Sequence, residues 1–328
     1  MVENLQIVPS RGGFVIWNIK KIKDKFIFKN QYSPESKDKH LQKLNQQSRQ
    51  TFQVKIIYKK NIQLDKIFSE YNQFENIDIY IHGSWVDETK TPFSDLDDLI
   101  IVKRSDIKTF REVRKIESWL NRVDMRFCRI DPLQHHGHWI IYKDQLENYD
   151  ESYMPLIVLE NSICLQGEKH ISAQVDLEAT QQGLEKNLDT TLSNIEKYYE
   201  KYQKGKINLF EMKCLVGSFL LIPAYVFQLQ GKRATKKWAI ENASNIYSAN
   251  AHKALEVCSM MRQDWGKALN TFQFRLFSIS PKFFTNPHLY RRFAQKMSPK
   301  FPYELFPTLE ITSVQKFVQE TRQNSNNG

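Results

Sequence analysis

The chain has 328 residues, 41% of them hydrophobic and 26% charged, with 47 Lys and Arg against 37 Asp and Glu for a formal net charge of +10. That length and apolar share supply real cores for two domains, or for one with substantial additions, and exclude a chain disordered throughout. Cys128, Cys164, Cys214 and Cys258 stand far apart without paired spacing. This excludes a zinc knuckle or a disulfide framework and predicts reduced, mostly core thiols.

Residues 1–76 carry 14 basic and 7 acidic side chains, 77–170 carry 12 and 17, and 171–328 carry 21 and 13. Basic flanks around an acidic middle suit an anionic ligand approaching a metal-binding carboxylate cluster, or simply solvated Lys-rich surfaces. Residues 1–11 lack a cationic stretch feeding an apolar run, so no signal peptide is read and a cytoplasmic protein is expected. Within 1–76, a mixed basic region with no assignable role, 13–19 and 51–58 alternate like strands, while 33–50 is polar without an apolar face.

From Ile77 the signals sharpen. Ile77, Ile79 and Ile81 alternate with Asp78, Tyr80 and His82 before Gly83-Ser84, which predicts a strand ending in a tight turn. A second strand is expected over 95–102. Ser105 follows as a helix cap, with Ile107, Phe110, Val113, Ile116 and Leu120 at helical spacing. A third strand is expected over 123–130, a fourth over 139–142, and residues 156–167 close the domain. Strand, strand, helix, strand is the order of a small sheet with helical cover, an α+β arrangement.

After Val175 the pattern is almost wholly helical: 177–202 is amphipathic, 209–229 apolar and 236–261 again helical. The apolar run 215–229 is shorter than the about 20 residues a bilayer needs and contains Pro223 and Gln228, so a buried helix and no membrane association are expected. Five prolines between 281 and 307 predict short helices and loops. The expected organisation is 1–76 N-terminal region, 77–172 catalytic domain, 173–322 helical domain and 323–328 disordered tail.

The chemistry concentrates in Gly83-Ser84 and, ten residues on, Asp95-Leu96-Asp97. On a strand two such carboxylates project to one side about 7 Å apart and can share hard divalent cations; Mg²⁺ suits them, with Mn²⁺ as the alternative. Gly83 and Ser84 offer backbone amides and a hydroxyl to phosphate oxygens. A third carboxylate is expected on a neighbouring strand. There Val123, Met125 and Phe127 would face one way and Asp124 and Arg126 the other, so parity selects Asp124; Asp131, of opposite parity and before Pro132, ranks second.

These residues resemble the DNA polymerase beta-like nucleotidyltransferase superfamily, whose pattern is apolar-Gly-Gly/Ser, roughly ten residues, then Asp-apolar-Asp/Glu. The resemblance covers about 77–167. It implies a mixed-sheet palm followed by a helical domain and metal-dependent transfer of a nucleoside monophosphate from a nucleoside triphosphate, such as ATP. Asp95 and Asp97 would bind the metals, and Asp124 would bind metal or deprotonate the acceptor. Two positions depart from the pattern: Asp98 stands where an apolar residue is usual, and Val86-Asp87-Glu88 replaces a second glycine.

Gln134-His135-His136-Gly137-His138 looks like metal chemistry, but adjacent histidines on a strand face opposite ways and no carboxylate or Cys completes a familiar spacing; a turn beside the site, or nucleotide contact, is the reading. Ser84 lacks a defensible Ser-His-Asp setting. Lys236, in the basic run 231–237, is expected across the cleft against the triphosphate, with Lys213 as a second cation or both as ordinary helix-end charge. Phe272, Phe274, Phe277, Phe283, Phe284 and Tyr290 read as core rather than base-stacking residues. The basic flanks incline the acceptor towards RNA or tRNA, with a small hydroxylated molecule or a protein open. The competing reading is a catalytically silent module that binds nucleic acid or a partner, against which the cost of clustering unpaired carboxylates argues.

Overall fold

The protein is described here by a computed structural model, in which residues 5–10, 13–18, 49–58, 61–91 and 94–325 are placed. Strands β1 (Leu5–Ser10) and β2 (Gly13–Asn18) pair antiparallel. The polar stretch read at 33–50 lies outside the described residues up to 48. Next come β3 (Arg49–Lys55), β4 (Ile57–Tyr58) and a short helix α1 (Ile62–Ile67), capped by the Asn61 side chain.

The alternating isoleucines form β5 (Ile77–His82), and β6 (Asp97–Val102) lies antiparallel to it, with His82 opposite Asp97. Every residue of β5 is buried, the polar positions included. Ile77, Ile79 and Ile81 pack with Trp119, Val123 and Phe127, while Tyr80 packs with Val54, Ala173 and Val175 on the other face. The alternation therefore separates two covered faces rather than core from solvent.

Helix α2 (Phe110–Ile130) corrects two expectations. Its cap is Thr109, whose hydroxyl accepts from the Glu112 amide, whereas Ser105 sits in a single 3-10 turn. The strand expected over 123–130 is the helix's own C-terminal half. Buried Val113, Ile116, Leu120, Val123 and Phe127 continue one three-and-four spacing. The two-residue period of Val123, Met125 and Phe127 is a coincidence within that longer run.

Strand β7 (Trp139–Tyr142), helix α3 (Leu156–Glu160) and strand β8 (Ile163–Gln166) complete a mixed sheet ordered β4-β8-β5-β6-β7. Strand β9 (His170–Asp176) pairs antiparallel with β3 and covers the sheet's second face. Residues 49–76, set apart from the palm by the sequence reading, thus contribute strand partners to it; their short, interrupted segments carry too little periodicity to show this.

Helices α4 (Leu177–Gln203), α5 (Leu209–Leu229), α6 (Lys236–Glu241), α7 (Ala249–Gln263), α8 (Thr271–Ile279), α9 (Pro287–Met297) and α10 (Ile311–Ser325) follow the sheet. Helix α5 is the axis, packed by α4, α7 and α10, and contributes Leu215, Phe219, Leu220 and Val226 to the largest core. It is long and apolar enough to cross a bilayer, yet 67% of its most apolar window is buried inside the protein. Helix α10 continues through Ser325, into the tail expected to be disordered, because Val314, Phe317 and Thr321 anchor one face. The aromatic stripe is only partly core: Phe277 and Tyr290 are buried, whereas Phe272, Phe274 and Phe283 are exposed.

Candidate active site

Where β5 ends, the chain turns through a 3-10 segment, Gly83–Trp85. Gly83 adopts φ +69, a left-handed conformation costly for other residues, and a Cβ there would lie 2.7 Å from Asp97 Oδ2. The left-handed φ favours glycine, and the close approach puts the turn's backbone directly against the carboxylate. Ser84, buried in this turn, lines the adjoining cleft.

Asp95 precedes β6 rather than lying in it. Leu96, between the two aspartates, is pinned by the buried Gln134 side chain, whose Oε1 accepts from the Leu96 amide and whose Nε2 donates to the Leu96 carbonyl, each at 3.2 Å. The same Nε2 donates to the His136 carbonyl at 3.2 Å. Gln134 thereby fixes the aspartate pair relative to the loop carrying the histidines. Both aspartates open towards the cleft, with side chains 16% and 24% exposed.

His135 and His136 lie in that loop, not on a strand, so strand parity does not separate them. His135 Nδ1 is 3.2 Å from Asp95 Oδ2; His136 Nε2 is 2.9 Å from Asp97 Oδ1 and 3.7 Å from Asp95 Oδ2. Burial works against the Asp97 carboxylate, but His136 outweighs it and holds the pKa below the ordinary value. Burial likewise opposes charge on His136, yet Asp97 and Asp95 raise it to about 9. Burial pushes His135 and His82 down.

Lys213, from α5, enters the same cluster. Its Nζ donates to Asp95 Oδ1 at 2.7 Å and forms an ion pair with Asp131. Asp131 is fully buried and also accepts the Leu133 amide at 2.9 Å. Burial raises its pKa well above the usual range, and the neighbouring Asp95 charge adds to this against the pull of Lys213. Asp95 itself is held well below that range, since Lys213 and the histidines overcome its burial.

The structure brings together Gly83, Ser84, Asp95 and Asp97 from the predicted set and leaves out Asp124. On α2, Asp124 is buried, forms an ion pair with Arg291 of α9 and does not line the cleft. Arg291 also donates to the His136 carbonyl at 2.6 Å, so Asp124 reaches the site only through Arg291 and the histidine loop. The carboxylate beside Asp95 is Asp131, the residue the parity argument ranked second. Lys236 lines the cleft at the start of α6, and burial and Arg262 lower its pKa to about 8. A lone cation within the apolar sequence of α5 was the available signal for Lys213, because such a charge needs a buried anion.

The cleft between sheet and helices has a volume of about 1040 Å³. Its donor set fits a divalent cation: the ligand atoms of Asp95, His135 and His136 lie within 4.8 Å of one another, and Asp97 adjoins them.

Residues 62–143 match the model of the nucleotidyltransferase domain family. No curated protein matches the chain. Among solved structures it is similar to the spectinomycin adenyltransferase AAD(9) from Enterococcus faecialis, determined with ATP and spectinomycin. The two share 14% identity over 69% of this chain and 96% of that one, with a TM-score of 0.33, a superposition too loose to bear on the acceptor. The region spanning the Gly83-Ser84 turn, the Asp95/Asp97 pair and the histidine loop therefore matches a nucleotidyltransferase domain, the kind of domain that the resemblance of its motifs implies.

Proposed function

We propose that the protein transfers a nucleoside monophosphate from a nucleoside triphosphate to a hydroxyl group of a small molecule, with the help of divalent cations. The observation carrying this reading is the adjacency of the Gly83 turn to Asp97 at the mouth of a cleft of about 1040 Å³. That volume accommodates a nucleotide and a compact acceptor together.

In this reading the acceptor hydroxyl gives up its proton to solvent as its oxygen forms a bond to the α-phosphorus, the bond from that phosphorus to the β-phosphate oxygen breaks, and pyrophosphate leaves. Gly83 and Ser84 approach the phosphate oxygens without a bulky side chain between. Lys236 sets a cation opposite the carboxylates, and Lys213 holds Asp95 in place. A divalent cation held by Asp95 and Asp97, Mg²⁺ or Mn²⁺, supplies charge neutralisation for the triphosphate and the developing negative charge.

An RNA or tRNA acceptor draws its support from the charge of the flanking segments. The cleft, however, mixes Lys213, Lys236 and Arg262 with Asp87, Asp150 and Glu241, and does not favour a polyanion along its length. The test is incubation of the full chain with each α-phosphate-labelled nucleoside triphosphate and Mg²⁺ or Mn²⁺, over a low-mass cell extract and over total RNA. Label is expected in a low-mass product. Label in RNA overturns the acceptor class, and no label in either overturns nucleotidyl transfer.

A further inference from the structure

We infer that His135 and His136 are metal ligands, and that together with Asp95 and Asp97 they form a mixed nitrogen and oxygen site that prefers a first-row transition metal such as Mn²⁺ to Mg²⁺. The inference rests on the reading of Asp95 and Asp97 as the metal-binding pair of a nucleotidyltransferase. It adds a ligand type and a metal preference that two carboxylates alone do not supply.

Geometry comes first. Two ligand atoms each about 2.1 Å from a metal and at right angles lie about 3.0 Å apart, and opposed ones about 4.2 Å. The observed separations are 2.9 Å for His136 Nε2 to Asp97 Oδ1, 3.2 Å for His135 Nδ1 to Asp95 Oδ2 and 3.7 Å for His136 Nε2 to Asp95 Oδ2. The widest separation within the Asp95, His135 and His136 set stays under 4.8 Å. Side-chain adjustments of roughly half an ångström close this set on one ion.

The surroundings of His136 are those of a ligand. Its Nδ1 lies 3.2 Å from the Gly137 carbonyl and its Nε2 faces both carboxylates, so a metal ion that displaces the Nε2 proton would find that nitrogen free to bind while Nδ1 keeps its proton for Gly137. Its own carbonyl is held twice, by Gln134 and by Arg291, so the backbone presenting the ring is anchored. A histidine present only to neutralise charge needs no such anchoring.

His82 provides a separate observation. It is buried at 7% exposure, lines the same cleft, and its Nε2 has no hydrogen-bond partner among the described residues. As the register partner of Asp97, it places an unsatisfied imidazole nitrogen beside the metal-binding carboxylates. A buried polar atom left unpaired is costly, and a polar or metal-bound species in this cleft relieves that cost. Imidazole nitrogen is a ligand for first-row transition metals, Mn²⁺ the weakest-bound among them, whereas Mg²⁺ is bound by oxygen and retains its waters.

The test is metal binding by the full-length protein without nucleotide, read by pulsed electron paramagnetic resonance of bound Mn²⁺ and by competition with Mg²⁺. Wild type is expected to show nitrogen hyperfine coupling from directly bound imidazole and to bind Mn²⁺ at least 100-fold more tightly than Mg²⁺. His136→Gln is expected to lose part of the coupling and at least 10-fold of that preference. His135→Gln, at the more exposed position, serves as the second variant should His136→Gln not fold. Bound Mn²⁺ without nitrogen coupling, or a wild-type preference under 100-fold, overturns the inference. Nucleotidyl transfer accompanied by that result leaves the proposed function standing, whereas nitrogen-coupled Mn²⁺ in a protein that labels no acceptor with any triphosphate overturns the function and leaves the metal site.

Discussion

Asp98 and His138 form a buried pair beneath the active site: Asp98 Oδ2 is 2.6 Å from His138 Nδ1, and the side chains are 0% and 2% exposed. His138 Nε2 is 2.9 Å from the Leu120 carbonyl. Both ring nitrogens thus face oxygen acceptors, which a doubly protonated imidazolium satisfies and a neutral ring cannot. Asp98 occupies a position where the superfamily pattern has an apolar residue, and His138 is the compensation for it.

Removing one partner leaves the other charge buried. Asp98→Leu is expected to destabilise the fold by about 3–5 kcal/mol, and Asp98→Leu with His138→Phe to recover much of that. Burial opposes the charge on His138, but Asp98 raises its pKa to about 8. A raised histidine stabilises fully below its unfolded value, so this contribution is present below about pH 6.5 and is lost as pH rises through about 8. Thermal unfolding across this window tests both statements; a double variant no more stable than Asp98→Leu would refute the pairing.

Gly83→Ala should impair nucleotide binding and strain the turn together. The left-handed φ costs alanine about 1–2 kcal/mol, and its Cβ would meet Asp97 Oδ2 at 2.7 Å. We expect at least a 10-fold loss of nucleotide affinity with the protein still folded, measured by calorimetric titration with a non-hydrolysable triphosphate. Unchanged affinity would remove Gly83 from the phosphate site.

The pKa of Lys236, lowered to about 8 by burial and by Arg262, makes triphosphate binding sensitive to pH. The lysine is cationic below that value and neutral above it, so affinity should fall as pH rises through about 8. In Lys236→Arg the side chain stays charged throughout, and the fall should vanish. Parallel pH profiles of wild type and Lys236→Arg that coincide would show that Lys236 does not meet the phosphates.

Strands β5, β6 and β7, the Gly83 turn and the spacing of the aspartate pair were legible because alternation, glycine and carboxylate spacing are local signals. The histidines were placed only as a turn beside the site and Lys213 only as a second cation for the triphosphate; their contacts with the aspartates were not legible, for a physical reason in each case. His135 and His136 converge on the aspartates only because the chain there is irregular and Gln134 holds it to Leu96. Lys213 meets Asp131 across 82 residues of sequence, a distance over which no periodicity speaks. Asp124 was misplaced because five residues of a helix, sampled at every second position, can imitate a strand.

That misplacement yields the sharpest prediction, since the sequence and the structure rank Asp124 and Asp131 in opposite orders. On a strand, Asp124 would face the metals, and Asp124→Asn would cost about 10²- to 10⁴-fold in the chemical step. On α2 it is buried against Arg291, outside the cleft, and Arg291 keeps a second bond to the His136 carbonyl. Asp124→Asn should therefore act mainly on stability, with kcat per folded molecule reduced about 10-fold or less. Asp131 shares Lys213 with Asp95, so Asp131→Asn leaves Lys213 paired with Asp95 alone and drawn further onto the carboxylate proposed to bind metal. It should raise the divalent-cation concentration needed for half-maximal rate and lower kcat by about 10- to 100-fold, the larger effect of the two. Both variants, compared at saturating nucleotide with the folded fraction fixed by circular dichroism, decide the matter. A greater loss for Asp124→Asn than for Asp131→Asn, with wild-type metal dependence in Asp131→Asn, would return Asp124 to the site.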